Sequence, residues 1–129
     1  MITKNQLLTA LESELPRILG EIFKLYDEHD FNHVVSGNRI CRACGIRYHD
    51  DLLGEICKIP LPIGITDWNE AMRFRDRAVE KHGTIKFTEA LRTVWHKKTV
   101  AIDFRDWLLF KAQPVNYLIA AALLEIKEQ

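Results

Sequence analysis

The C-terminal stretch of the chain reads PVNYLIAAALLEIK over residues 114–127. Pro114 suits the first turn of a helix, because proline lacks the backbone N–H that the first turn leaves unbonded. From Tyr117 to Leu124 the stretch is apolar on nearly every side, whereas a surface helix carries a single apolar stripe. The sequence therefore predicts a helix over 114–127 that lies centrally in the core or is shared with a second subunit in a homodimer.

The chain before this helix predicts a small, mainly α-helical domain of about five helices. Thr3 and Gln6 have capping-box spacing, and apolar residues at helical spacing follow as far as Tyr26, so the first helix is expected over 4–28. Pro16 lies inside this pattern, so the helix should kink there or split in two, and the apolar face that continues past it favours the kink. Start, stop and periodicity signals predict two more helices, over about 68–82 and 86–97, and Asp103 can cap a third that carries Phe104, Trp107, Leu108 and Phe110.

Length and composition are those of one ordinary globular domain spanning 1–129. Of the 129 residues, 47% are hydrophobic, and 18 basic residues balance 18 acidic ones, so no global field attracts the chain to nucleic acid or to an anionic membrane. An odd count of three cysteines is not that of a disulfide framework. The first residues carry acidic groups where a signal peptide is apolar, and no apolar run is long enough to span a membrane. We expect a cytoplasmic protein.

An irregular segment interrupts the helical pattern between the first and second predicted helices. All three cysteines and three of the five histidines lie between Asp27 and Pro62. His33-Val34-Val35 and Arg39-Ile40-Cys41 flank Ser36-Gly37-Asn38, which predicts a short β-hairpin. The segment 29–57 is therefore interpreted as a knuckle and hairpin insertion with an organising centre of its own.

Cys41-Arg42-Ala43-Cys44-Gly45 provides the strongest chemical signal in the sequence. Two thiolates spaced C-x-x-C on a tight turn face one point, and the following glycine permits the backbone conformation that closes the turn. The stretch resembles the knuckle of zinc ribbons and related zinc fingers. That resemblance covers five residues and implies a pair of zinc ligands, not membership in a family.

Structural zinc requires two further nitrogen or sulfur ligands. His29 and His33 complete the set best by spacing, because they lie four residues apart and the hairpin brings His33 opposite Cys41. Cys57 and His49 are the alternates, and the sequence does not separate the two options. A redox pair and two unliganded thiols are the other interpretations of the C-x-x-C spacing.

Basic residues are concentrated in residues 72–98, which carry eight basic and three acidic side chains. This band could hold a nucleic-acid backbone or another anion, although charge-rich helix faces are commonly just solvated. Arg75 falls on the predicted core stripe and needs a partner, for which Glu14, Glu21 or a bound anion are the candidates. The residues assigned to anion or nucleic-acid binding are Arg73, Arg75, Arg77, Arg42, Lys97 and Lys98.

Three functions are consistent with these patterns. The first is a non-catalytic binding or regulatory module with a structural zinc knuckle, whose partner is a protein recognised in part by Arg39, Arg42 and Arg47. The second is a nucleic-acid-binding protein that uses the 72–98 band. The third is a small metal-dependent enzyme built around His49 and Asp50, for which the alternative role of Asp50 is to cap a short helix. No common nucleotide-binding or hydrolase signature is present in the sequence, which favours a function without catalysis.

Overall fold

A computed structural model describes residues 2–26, 29–42, 44–52, 54–60, 62–98 and 101–127. Within these ranges the chain forms six α-helices and one antiparallel β-hairpin, so the predicted mainly α class is confirmed. The helices are α1 (Lys4–Thr9), α2 (Leu15–Ile22), α3 (Trp68–His82), α4 (Thr84–Lys98), α5 (Phe104–Phe110) and α6 (Pro114–Glu125), and the strands are β1 (His33–Val35) and β2 (Asn38–Ile40).

The last helix, α6, is the centre of the core. It packs against α1, α2, α3 and α4, and Leu118 to Leu123 are all buried. Its three consecutive alanines, residues 120–122, have no long side chains to hold neighbouring helices away. The prediction of a central helix is confirmed, with an end at Glu125 instead of residue 127, whereas a shared helix in a homodimer remains a prediction.

The first predicted helix is two helices, so the expected kink at Pro16 is wrong. α1 ends at Thr9, Ala10 is extended, and α2 begins at Leu15 with Pro16 in its first turn. A proline in the first turn of a helix sacrifices no hydrogen bond, whereas one in the middle of a helix loses a bond and crowds the preceding turn. α2 then ends at Ile22, and residues 27 and 28 of the predicted helix lie outside the described residues.

The capping residues predicted from the sequence are confirmed at the start of α1 and at both ends of α3. Thr3 and Gln6 form the expected capping box. The side chain of Asp67 accepts a hydrogen bond from the Asn69 N–H at 2.8 Å, which starts α3. Gly83 ends α3 with φ of +95°, a backbone conformation that other residues rarely adopt.

The irregular segment lies between α2 and α3, as expected. The N–H of Ile63 donates to the carbonyl of Pro16 at 3.1 Å, which ties the segment's exit to the start of α2. Within the described part of the chain, no helix combines the length and the apolarity needed to cross a bilayer.

Candidate metal centre

The hairpin positions the first candidate ligand. β1 and β2 pair antiparallel with His33 opposite Ile40 and Val35 opposite Asn38. The two-residue turn between them is formed by Ser36 and Gly37, both with positive φ, of 52° and 80°. Two positive φ angles are those of a type I′ turn, whose twist matches that of the flanking strands. Cys41 follows β2 directly, so the hairpin fixes where its side chain starts.

A tight turn after the hairpin brings the second thiol back to the first. The N–H of Gly45 donates to the carbonyl of Cys41, and the N–H of Cys41 donates to the carbonyl of Ile46, both at 2.8 Å. Gly45 has φ of +76°, which a side chain would strain. The glycine of the C-x-x-C-G pattern therefore has the structural role expected from the sequence.

Backbone hydrogen bonds tie two more segments to this turn. The N–H of Arg42 donates to the carbonyl of Asp30 at 2.9 Å, and the N–H of His29 donates to the carbonyl of Glu55 at 3.4 Å. The first bond places the His29 segment beside the turn, and the second places the Cys57 segment beside His29. Three stretches that are distant in sequence thus meet at one point.

Four potential ligands converge there: His29, Cys41, Cys44 and Cys57. Their ligand atoms all lie within 4.8 Å of one another. The Sγ atoms of Cys41 and Cys57 are 3.9 Å apart, and Cys44 Sγ is 3.5 Å from His29 Nδ1. Tetrahedral zinc with ordinary bond lengths separates two sulfur ligands by about 3.8 Å, and a sulfur from a nitrogen by about 3.5 Å. The two measured separations match those of a tetrahedral Cys3His zinc site, so this grouping could hold a metal such as zinc.

Burial differs across the four ligands. Cys41 and Cys57 are each 1% exposed, His29 is half-buried and Cys44 is exposed. No disulfide joins the three cysteines. Neither Cys41 nor Cys57 belongs to the main hydrophobic core. The two buried thiols therefore form an interior separate from that core, since no other described side chain of residues 29–57 is buried.

The pKa of the Cys57 thiol is raised to about 11, chiefly by burial and also by the neighbouring Cys44 and Cys41 side chains, while the backbone N–H of Ile59 acts in the opposite direction. Packing alone thus favours the protonated thiol. A cation bound among the three sulfurs would reverse this preference, since a metal-bound thiol is deprotonated. The N–H of Ile59 already points at the sulfur, as the second layer around a metal-bound thiolate requires.

The structure brings together three of the four first-choice ligands and replaces the fourth. His29, Cys41 and Cys44 lie in the grouping, and Cys57, an alternate, joins them. His33 does not, because it lies on β1 with its side chain exposed and its backbone opposite Ile40. The spacing argument failed because the chain from His29 to Asn32 is a turn and not a helix, so residues four apart do not share a face.

His49 and Asp50 also lie outside the grouping. His49 Nδ1 is 3.4 Å from a carboxylate oxygen of Asp51, and Asp50 accepts a hydrogen bond from the Tyr48 hydroxyl at 2.8 Å. That hydrogen bond raises the pKa of Tyr48. Asp50 is the first residue of the 3-10 turn of residues 50–52, but the capping bond expected of it is made by His49, whose Nδ1 accepts the N–H of Asp51 at 3.3 Å.

Several arginines of the basic band contact other side chains of the protein, whereas the lysines at its end are exposed. Arg73 pairs with Glu70 at 2.7 Å, and Arg73 and Arg77 both lie over the ring of Phe74, at 4.9 and 5.3 Å from its centroid. Lys97 and Lys98 are exposed in the last turn of α4. Arg42, near the candidate centre, lies 3.8 Å from the carboxylate of Asp30.

Arg75 has a different partner from those expected. Its side chain is 40% exposed and pairs at 2.8 Å with the neighbouring Asp76, so the assignment of Glu14 or Glu21 is wrong. The cause is the position of the buried stripe of α3, which leaves Arg75 at its margin. The buried residues of α3 are Ala71, Phe74 and Ala78.

Comparisons with protein-family models, with curated proteins and with solved structures give no match for this chain.

Proposed function

We propose that this protein is a non-catalytic binding module whose segment 29–57 is ordered by one zinc ion and whose partner is a protein. The ligands are His29, Cys41, Cys44 and Cys57. The observation that carries the proposal is the convergence of these four ligand atoms within 4.8 Å of one another, with separations close to those of tetrahedral zinc.

A structural role for zinc is supported by the ligand count. Catalytic zinc keeps one coordination position for water or substrate, whereas structural zinc is closed by four protein ligands. Three sulfurs and one imidazole nitrogen fill all four positions here. The acid and imidazole pair that could have served an enzyme, His49 and Asp50, points to other partners.

A need for the ion is supported by the composition of the unit. Among its described residues, the two fully buried side chains are cysteines, and the side chains of both valines of β1 are exposed. A loop segment of this kind buries too little apolar surface to offset the entropy of ordering its backbone. Binding of a structural zinc ion supplies folding free energy directly.

A protein partner is supported by what the unit exposes. Large apolar side chains are exposed on it beside arginines, a combination that is common in protein interfaces. The exposed apolar residues of the unit are Val34, Val35, Ile46 and Ile56. The arginines are Arg39, Arg42 and Arg47, all of them exposed.

The test is elemental analysis of the purified native protein together with Cys44→Ser. We expect about one zinc per chain in the native protein, and loss of most of it in the variant, because serine is a poor zinc ligand. Replacement of zinc by cobalt adds a spectroscopic check, since tetrahedral cobalt bound to thiolates absorbs strongly in the visible range.

His33→Gln is the matched control. It removes an exposed imidazole of the same unit that lies outside the ligand grouping, so zinc content should be unchanged. A native protein that is folded and free of zinc, or a Cys44→Ser variant that retains a full equivalent, contradicts the proposal. Salt-sensitive binding to DNA or RNA that persists after the unit loses its metal would instead favour the 72–98 band as the functional surface.

A further inference from the structure

The outer edge of β1 is an open strand edge. A two-residue hairpin turn is closed by backbone hydrogen bonds between its flanking residues, here Val35 and Asn38. Antiparallel pairs alternate, so the next pair, Val34 and Arg39, points its N–H and C=O groups away from the partner strand. The carbonyl of Arg39 does point outward from β2, where it accepts the N–H of Tyr48 at 2.8 Å.

The same alternation leaves the N–H and C=O of Val34 on the outer side of β1. No backbone group in the described part of the chain bonds to them there. The side chains of Val34 and Val35 are 59% and 45% exposed, so no other element covers the strand. An unpaired strand edge of this kind pairs with an extended segment of another chain.

The charge of the hairpin and knuckle selects the chemistry of that segment. Residues 31–49 contain three arginines and no aspartate or glutamate. Arg39 is the cross-strand neighbour of Val34, and a further strand would lie about 5 Å beyond β1, within reach of a long arginine side chain. Arg47 lies beyond the other edge of β2, where it bridges Ile40 and its Nη2 donates to the Asn38 side chain at 2.8 Å, so it does not face a strand added at β1. Among the described residues, neither arginine forms an ion pair.

We infer that β1 is a docking edge for an extended acidic segment of the partner protein, which adds a strand to the hairpin. This inference rests on the proposed function, because the zinc centre holds the hairpin in place. Successive residues of a strand point to opposite faces, so one of two adjacent acidic residues in the segment lies on the face of Arg39 in either register. Backbone pairing at Val34 supplies the docking, and Arg39 supplies the preference for an acidic side chain.

A single-stranded nucleic acid fits this surface less well. Proteins that bind single strands present exposed aromatic rings on which bases stack. The rings nearest the hairpin, Phe31 and Tyr48, are half-buried and pack edge to face at a centroid distance of 5.2 Å. The exposed side chains of β1 are valines, which pack against another strand and do not stack on bases.

The test uses the zinc-loaded full-length protein and two capped, fluorescently labelled hexapeptides. The acidic probe is Thr-Val-Glu-Glu-Val-Thr, and its neutral counterpart carries glutamine in place of both glutamates. We expect the acidic peptide to bind about tenfold more tightly, as measured by fluorescence anisotropy at low salt, since the charge-assisted contact with Arg39 is lost in the neutral one.

Val34→Pro removes the outward N–H without breaking a bond between β1 and β2, because that N–H does not point at β2. We expect about tenfold weaker binding of the acidic peptide. Val34→Thr keeps both the N–H and the branched side chain and should bind like the native protein. Arg39→Gln should remove most of the preference for the acidic peptide over the neutral one. If Val34→Pro loses its metal, Arg39→Gln is the variant that tests the docking edge.

Zinc content, measured for every variant, separates the two proposals. A protein that holds zinc but binds the two peptides equally, or binds neither, overturns the docking edge and leaves the zinc module standing. A native protein without zinc overturns the proposed function itself. Tight binding of an oligothymidine that Arg39→Gln weakens and Val34→Pro does not would overturn the docking edge in favour of nucleic acid.

Discussion

The Sγ atoms of Cys41 and Cys57 lie 3.9 Å apart, although 16 positions separate the two residues along the chain. Cys41 follows β2, and Cys57 lies beyond the 3-10 turn, so the contact between them joins the two ends of residues 41–57. Both sulfurs are buried outside the main hydrophobic core. Whatever holds these two atoms together therefore holds the unit together.

Cys57→Ala should abolish stable zinc binding. The residue supplies one of the four ligand atoms and half of the buried sulfur pair. Loss of a group that only orients a zinc ligand weakens affinity by about 10 to 100-fold, so loss of the ligand itself should cost at least about 100-fold. Competition with a zinc-binding dye measures the affinity directly.

His49→Gln is the matched control for this variant, because His49 was an alternate ligand by spacing and lies outside the grouping. Its zinc affinity should equal that of the native protein. If His49→Gln loses zinc and Cys57→Ala keeps it, the ligand set is different from the one assigned here.

Chelation of the metal should unfold the knuckle while the helical core survives. The core formed around α6 contains neither Cys41 nor Cys57, and separate cooperative units open independently. Hydrogen exchange should show lost protection at the N–H groups of Cys41, Gly45 and Tyr48, each bonded to a backbone carbonyl within the unit. The N–H groups of α6 should keep their protection. Global loss of helical circular dichroism on chelation would contradict this division.

Local signals predicted most of the helical fold because they act over a few residues. A helix begins at the capping side chains of Thr3 and Asp67, and one ends at Gly83 because of its positive φ. None of these helix ends depends on a contact that is distant in sequence. Pro16 was misjudged because the apolar periodicity continues across it, whereas its effect depends on whether a helix begins at that point or passes through it.

The ligand set could be predicted only in part, because metal ligands meet through non-local contacts. Cys41 and Cys44 are close in sequence, and one turn orients both. Cys57 reaches them because the His29 N–H bonds the carbonyl of Glu55, a pairing that no spacing rule encodes. The available signal was that a third cysteine lay in the same irregular segment, and thiolate is a stronger structural zinc ligand than a second exposed histidine.

Lys24→Gly should stabilise the protein by about 1 kcal/mol. Lys24 follows α2 with φ of +57°, and the next N–H, that of Leu25, bonds back to the carbonyl of Gly20 at 2.9 Å. Glycine is favoured at this position of a helix end because a side chain is strained there. Urea unfolding measures the difference in free energy.

Lys86→Gly provides the contrasting substitution, because Lys86 is exposed within α4, where glycine costs about 1 kcal/mol in backbone entropy. The two variants remove the same side chain and should change stability in opposite directions. Destabilisation by Lys24→Gly of the same size as by Lys86→Gly would show that the lysine side chain, and not its backbone conformation, governs stability at residue 24.

Glu125 at the end of α6 should make stability depend on pH. Burial raises its pKa, but hydrogen bonds and charges from Lys81 at 2.9 Å and His82 at 3.5 Å outweigh burial and hold the pKa below its usual value. A carboxyl with a lowered pKa stabilises the fold above its unfolded-state pKa, and that contribution is lost as pH falls through the folded-state value.

Glu125→Gln should therefore cost up to about 1 kcal/mol at pH 7 and progressively less below the usual glutamate pKa of about 4.3. The measurement is urea unfolding of both proteins across this range. Glu80→Gln, which removes an exposed carboxylate beside the same groups, is the matched control and should change stability little at pH 7. A constant penalty for Glu125→Gln at every pH would assign its effect to packing instead of charge.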